Sequence, residues 1–199
     1  MTRVAVLVSG RGSNLRAILE QSRAPGFPAR VVAAVSDRGE VLALEHARSA
    51  GVEALALDAA RDPSWDAHLA AVLEERRVDL ICLAGYMRLV REPLLSRFAG
   101  RILNIHPSLL PAFPGLDAQR QAWEYGVKVA GCTVHFVDAG MDAGPVVLQR
   151  SVPVAEDDTP ESLAERILRE EHRAYPEAVR LFALGRLELR GRRVLVRPQ

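Results

Sequence analysis

The chain has 199 residues, 49% of them hydrophobic and 26% charged, with a formal net charge of +1. That length suits one well-buried domain of ordinary globular composition, and the near-balanced charge argues against a dedicated nucleic-acid or membrane surface. No apolar run reaches membrane-spanning length and no leading segment has a signal-peptide pattern, so a cytoplasmic location is expected. Cys82 and Cys132 lie in separate apolar runs; they support neither a disulfide framework nor a metal spacing and read as buried, reduced thiols.

In chain order, Arg3–Val8 is an almost wholly apolar run, the pattern of a parallel strand buried on both faces. It breaks at Ser9-Gly10-Arg11-Gly12-Ser13-Asn14, and a helical pattern follows from Leu15 to about Ser22. Strand patterns over Arg30–Val35 and Val52–Leu57 flank a helix over Glu40–Ala50 that Gly51 stops. An amphipathic helix from Ser64 or Trp65 to about Arg77 leads to a strand over Val78–Ala84. A short helix over Glu92–Phe98 then precedes a fifth strand ending at Asn104. Strand and helix alternate throughout this half, which predicts an α/β fold built on a doubly wound, mostly parallel sheet.

The last third changes character. Val127–Val137 and Pro145–Val154 are long β-rich runs only a few residues apart, so antiparallel C-terminal strands are expected. Thr159 as N-cap, Pro160 in the first turn and Glu161 beside it open a long C-terminal helix reaching about Leu184, with a kink expected at Pro176. Leu187–Leu189 and Arg193–Val196 around Gly191 read as a terminal hairpin.

Open α/β sheets bind ligands outside the carboxyl ends of their strands, and unusual loops fall at such ends. Gly10-Arg11-Gly12-Ser13-Asn14 puts glycines where a backbone turns tightly, ahead of the amides of a helix start, which suits an anion. Leu15 stands where a dinucleotide fingerprint has its third glycine and no Walker lysine follows, so a phosphate monoester is the expected occupant. A glycine turn without a ligand is the competing reading. Asn104 and His106 are two residues apart, so on a strand they share a face. An amide and a protonated imidazole together suit an oxygen that gains negative charge; the alternative is a turn-forming Asn beside an ordinary loop His. The loop Asp138-Ala139-Gly140-Met141-Asp142-Ala143-Gly144-Pro145 carries two carboxylates, and Asp142 is the choice for a partner that would keep His106 charged and oriented. Both aspartates could instead cap turns. His135 reads as a satisfied core residue, His46 and His68 as surface residues, and His172 as ambiguous. A zinc site from His106, His135 and Asp142 lacks supporting spacing.

Taken together, these segments resemble the folate-dependent phosphoribosylglycinamide formyltransferases. The likeness is carried by Val8–Leu15, Leu83–Arg88, Leu103–Pro111, Gly131–Val137, Asp142–Val146 and Glu171–Pro176, in order and across nearly the whole chain. It implies a Rossmann-like formyltransferase fold forming one domain over 1–199, with a ribonucleotide-binding half (1–100) and a folate-binding, catalytic half (101–199). It implies Asn104, His106 and Asp142 as catalytic residues, and Gly12, Ser13, Asn14 and Glu171 as ribonucleotide contacts. The folate would lie against Met87, Arg88, Leu89 and Val90, beside Asn104, and along Asp138, Ala139, Gly140, Met141 and Asp142. Gly115–Gln119 lacks a histidine often found there in the family, and no basic residue near Arg61 clearly matches the family's.

The implied reaction moves the formyl group of 10-formyltetrahydrofolate, the co-substrate, to the amine of 5-phosphoribosylglycinamide in purine biosynthesis, without a metal or a covalent enzyme intermediate. The implied partners are small molecules, with neither nucleic acid nor membrane involved and a homodimer compatible. Formyltetrahydrofolate hydrolases carry an N-terminal regulatory domain, and initiator methionyl-tRNA formyltransferases carry a C-terminal nucleic-acid-binding domain. A first strand at residue 3, a chain of 199 residues and balanced charge set the expectation away from both. A hydrolase and a non-catalytic folate- or nucleotide-binding module are the alternatives.

Overall fold

Val4 through Val8 are all but sealed from solvent, as a strand with neighbours on both edges and both faces must be. The computed structural model describes residues 1–198 and divides into one compact unit over Met1–Asn104 and a second beginning at Ile105.

In the first unit, β1 (Thr2–Val8), β2 (Ala29–Ser36), β3 (Glu53–Ala56), β4 (Leu80–Leu83) and β5 (Ile102–His106) run parallel in the order β3-β2-β1-β4-β5. The last two residues of β5 open the second unit. Crossovers are made by α1 (Ser13–Ser22), α2 (Leu42–Ser49), a 3-10 turn at Ala59–Arg61, α3 (Trp65–Glu75) and α4 (Leu94–Arg97). The chain winds from β1 outward to β3, then returns to the other side of β1 with β4. The sheet's order therefore reverses between β1 and β4, where such sheets place their ligands. Leu15, Ile18 and Leu19 of α1 are buried at helical spacing.

In the second unit, β6 (Val129–Phe136) and β7 (Val146–Pro153) are antiparallel, Cys132 facing Arg150 and Val134 facing Leu148. A hairpin of β8 (Leu187–Arg190) and β9 (Arg193–Val196) follows, in the order β6-β7-β9-β8; β9 meets β7 in parallel at Val146 and Arg193. Two helices complete this unit, α5 (Ala118–Tyr125) and α6 (Pro160–Ala183). Thr159 and Ser162 close a reciprocal capping box at the start of α6, and Leu163, Ile167, Ala174, Tyr175, Ala178 and Val179 form its buried stripe. Pro176 lies buried within the helix.

The elements depart from the sequence reading in places with identifiable causes. Helix α5 was not expected: its buried residues are only Ala118 and Ala122, a weak apolar signal in a polar run. Strand β5 continues past Asn104 to His106, because a residue before proline favours the extended region. The helix expected over Glu92–Phe98 contracts to Leu94–Arg97, since Pro93 occupies its entry. Both cysteines are free and buried, and burial pushes the Cys132 thiol up to about 12. Among the described residues no helix is long and apolar enough to cross a membrane.

Candidate active site

The first unit presents a cavity of about 330 Å³ lined by the loop from Ser9 to Asn14 together with Ala84, Gly85 and Met87. It opens at the carboxyl ends of β1 and β4, where the sheet order reverses. Gly12, Ser13 and Asn14 all lie on its wall. Gly12 has φ +76, and a Cβ built there would stand 2.6 Å from the Ala43 Cβ, so only glycine fits this bend at the start of α1. The first turn of α1 directs backbone N–H groups out of the helix end, the geometry that receives a phosphate.

Beyond β4, the loop bearing Met87, Arg88, Leu89 and Val90 is pinned at three points. The Met87 N–H donates to the Ser9 hydroxyl at 2.9 Å, the Trp65 indole donates to the Tyr86 hydroxyl at 2.8 Å, and the Arg91 N–H donates to Asp66 at 3.0 Å. Met87 and Leu89 nevertheless expose their side chains, Val90 is buried, and the Arg88 guanidinium lies 6.0 Å from the centre of the Trp65 ring. The loop thus offers apolar side chains to solvent from a fixed backbone. Asn104 is half-buried on β5, opposite Leu83 of β4.

In the second unit, His106 Nδ1 lies 3.4 Å from Asp142 Oδ2, with both side chains largely hidden from solvent. At the other side of the ring, Nε2 donates to the Phe113 carbonyl at 2.8 Å. Both neighbours of the ring are acceptors, so a proton at each nitrogen satisfies the geometry. The Gly115 N–H donates to the same Asp142 oxygen at 2.8 Å. On the carboxylate's other oxygen, His135 Nε2 approaches to 3.8 Å, while His135 Nδ1 donates to the Phe136 carbonyl at 2.9 Å. Burial holds the His135 imidazole below the ordinary histidine value, against the opposing pull of the Phe136 carbonyl and of Asp142. The two aspartates of the 138–144 loop divide the roles open to them. Asp138 caps its own turn by accepting the Gly140 N–H, and Asp142 faces the histidines.

The fold fixes that loop from behind. Asp142 itself has φ +50, a conformation that costs energy for a residue with a side chain and persists only when its surroundings impose it. Gly144 is pressed so closely to β6 that a Cβ would come 1.8 Å from the Phe136 carbonyl oxygen, and Arg192 of the terminal hairpin donates to the Ala143 carbonyl at 2.7 Å. Ala139, Gly140 and Met141 form its exposed tip. On the strand side, the buried Thr133 hydroxyl donates to the Ser108 carbonyl and accepts from the Leu110 N–H and from Gln149. This ties the segment after His106 to β6. Glu171 is buried on α6, a charged group inside the fold at 6% exposure; His172 beside it is half-buried.

Several contributors have no sequence signature. Phe113 and Gly115 act through backbone groups, and His135, readable only as a core residue, also comes within 3.8 Å of Asp142. Ser9 and Asp37, joined at 2.6 Å, are 28 residues apart in sequence. Among the described residues no group of three or more histidines, cysteines or acids has the arrangement of a metal site.

Comparison with known proteins fits this geometry into a family. The formyl transferase family model matches residues 2–179. The phosphoribosylglycinamide formyltransferase of Bacillus subtilis (strain 168) is 42% identical over 183 residues, covering 90% of this chain and 94% of that one. The crystal structure of glycinamide ribonucleotide transformylase 1 from Symbiobacterium toebii superposes with a TM-score of 0.97 at 62% identity, covering 100% of this chain and 95% of that one. The trifunctional purine biosynthetic protein adenosine-3 of Drosophila melanogaster is 47% identical over 188 residues, 92% of this chain; the chain spans 14% of that longer protein's length. The chain belongs to the formyl transferase family, in its phosphoribosylglycinamide formyltransferase group.

Proposed function

We propose that this chain transfers the formyl group of 10-formyltetrahydrofolate to the primary amine of 5-phosphoribosylglycinamide. The observation that carries the reading is the His106–Asp142 pair at 3.4 Å, largely shielded from water, with Asn104 two residues before His106 on the same strand. The amine nitrogen attacks the formyl carbon, and the carbonyl oxygen becomes an oxyanion. On collapse the bond to the folate nitrogen breaks, and the proton given up by the amine is taken by that nitrogen, with water ordered by Asp142 as the carrier.

Asn104 donates its side-chain amide to the oxyanion, and His106 donates a ring N–H. One such donor is typically worth about 10²–10³ in rate. The Nε2–H of His106 donates to the Phe113 carbonyl. In this mechanism the ring exchanges that carbonyl for the oxyanion, while Asp142, held by the Gly115 N–H, keeps the imidazole oriented. Gly12, Ser13 and Asn14 receive the ribonucleotide phosphate, and Glu171 takes a polar group of the same substrate. The folate lies against Met87, Arg88, Leu89 and Val90 and along Asp138–Asp142.

The test is an assay of folate-dependent formylation of glycinamide ribonucleotide by the purified protein, beside a control in which water is the only acceptor. Formylated ribonucleotide is expected, with the control near background. Formate release at equal rate in both arms would replace the transferase reading with a hydrolase.

A further inference from the structure

We infer that Ser9 is a positioning residue shared by the phosphate loop after β1 and the loop after β4, and that Asp37 holds its hydroxyl in that role. The inference rests on the functional reading above and extends it to a residue outside the substrate contacts. A hydroxyl has one proton to give, and the Ser9 Oγ–H gives it to Asp37 Oδ1 at 2.6 Å. Its lone pair then receives the Met87 N–H at 2.9 Å. The directions are fixed, because a backbone N–H only donates.

Ser9 and Asp37 are buried, at 7% and 5% exposure. Ser9 directly follows β1, Asp37 directly follows β2, and Met87 lies just beyond β4. One hydroxyl therefore joins the carboxyl ends of three adjacent strands at the point where the sheet order reverses. It belongs to the first residue of the glycine loop and accepts from Met87, the first residue of the next loop assigned to the folate. Each loop also has an anchor of its own, the Gly10 carbonyl accepting from the Ala43 N–H and the Arg91 N–H donating to Asp66. Removing the hydroxyl should loosen both loops along their shared border without unfolding the sheet.

Steady-state kinetics of single and double variants test this. Ser9→Ala should raise the KM for the ribonucleotide and for the folate together, each by about three- to tenfold, the worth of one lost hydrogen bond, with kcat changed less. Ser13→Ala should raise the ribonucleotide KM alone. Asp37→Ala should reproduce Ser9→Ala, and the double variant should be no worse than either single, because both act through one network. Asp37→Asn keeps an acceptor oxygen and should return both KM values close to the parent's. Should Ser9→Ala not fold, the contrast between Asp37→Ala and Asp37→Asn reads the same network from its other end. Movement of a single KM in Ser9→Ala, additive losses in the double variant, or equal damage from the two Asp37 substitutions overturns the inference. A parent protein that forms no formylated product removes the functional reading and this inference with it. Parent turnover with the wrong variant pattern removes the inference alone.

Discussion

His106 and Asp142 face each other across 3.4 Å, Nδ1 to Oδ2, one at the end of a strand and the other on a loop residue with φ +50. Replacing Asp142 with Asn keeps an acceptor for the Gly115 N–H but removes the charge facing the imidazole. Asp142→Asn and Asn104→Ala should each lower kcat by about 10²–10³, the usual worth of one element of an oxyanion-stabilising set. Thermal melting should remain near that of the parent. Near-normal turnover in either variant would remove that residue from the mechanism.

The glycine loop makes a different demand. Gly12 is left-handed, and a Cβ there would meet Ala43 at 2.6 Å. Gly12→Ala must displace the start of α1, so the ribonucleotide KM should rise by more than about tenfold, as lost ground-state binding does, with the folate KM much less affected. A rise confined to the folate KM would show that the two pockets had been exchanged.

Much of this was legible in the sequence because the strongest physical signals are local. The apolar run before Ser9 could hardly be anything but a central strand, and Thr159-Pro160-Glu161-Ser162 announced the start of α6. The pairing of β6 with β7 followed from two long β-rich runs with a short connection. What escaped was carried by backbone groups or by weak patterns. The Phe113 carbonyl and the Gly115 N–H that flank His106 and Asp142 leave no mark in side-chain chemistry. Helix α5 hid behind two alanines. The 3.8 Å approach of His135 to Asp142 depends on the path of a loop, which strand alternation cannot give.

Thr133 offers a test of what holds the segment after His106. Its hydroxyl is fully buried and serves the Ser108 carbonyl, the Leu110 N–H and the Gln149 amide. Thr133→Val keeps the shape and leaves the buried Ser108 carbonyl and Leu110 N–H short of a partner, while the exposed Gln149 amide keeps the Leu110 carbonyl, at a cost of about 2–3 kcal/mol. Urea unfolding should show a lower midpoint at unchanged slope. A loss below about 1 kcal/mol would mean that the neighbours find other partners.

Asp158 ties the start of α6 to the fold. The Arg166 guanidinium, bonding through both its terminal nitrogens, holds the Asp158 carboxyl well below the usual carboxylate range, helped by the Ser162 hydroxyl and the Ala155 N–H. A carboxyl whose folded pKa is depressed binds protons more readily in the unfolded chain. Its contribution is therefore fully present above the unfolded value, about 4 for Asp, and is lost as pH falls towards the folded value. Asp158→Asn keeps one acceptor oxygen, enough for Ser162 or Ala155 but not for both, and gives up the charge that faces Arg166. Its melting temperature should lie below the parent's near neutrality, and the gap should narrow steadily as pH drops below about 4. A gap that stays constant across that range would show that the pair with Arg166 contributes nothing dependent on the carboxylate's charge.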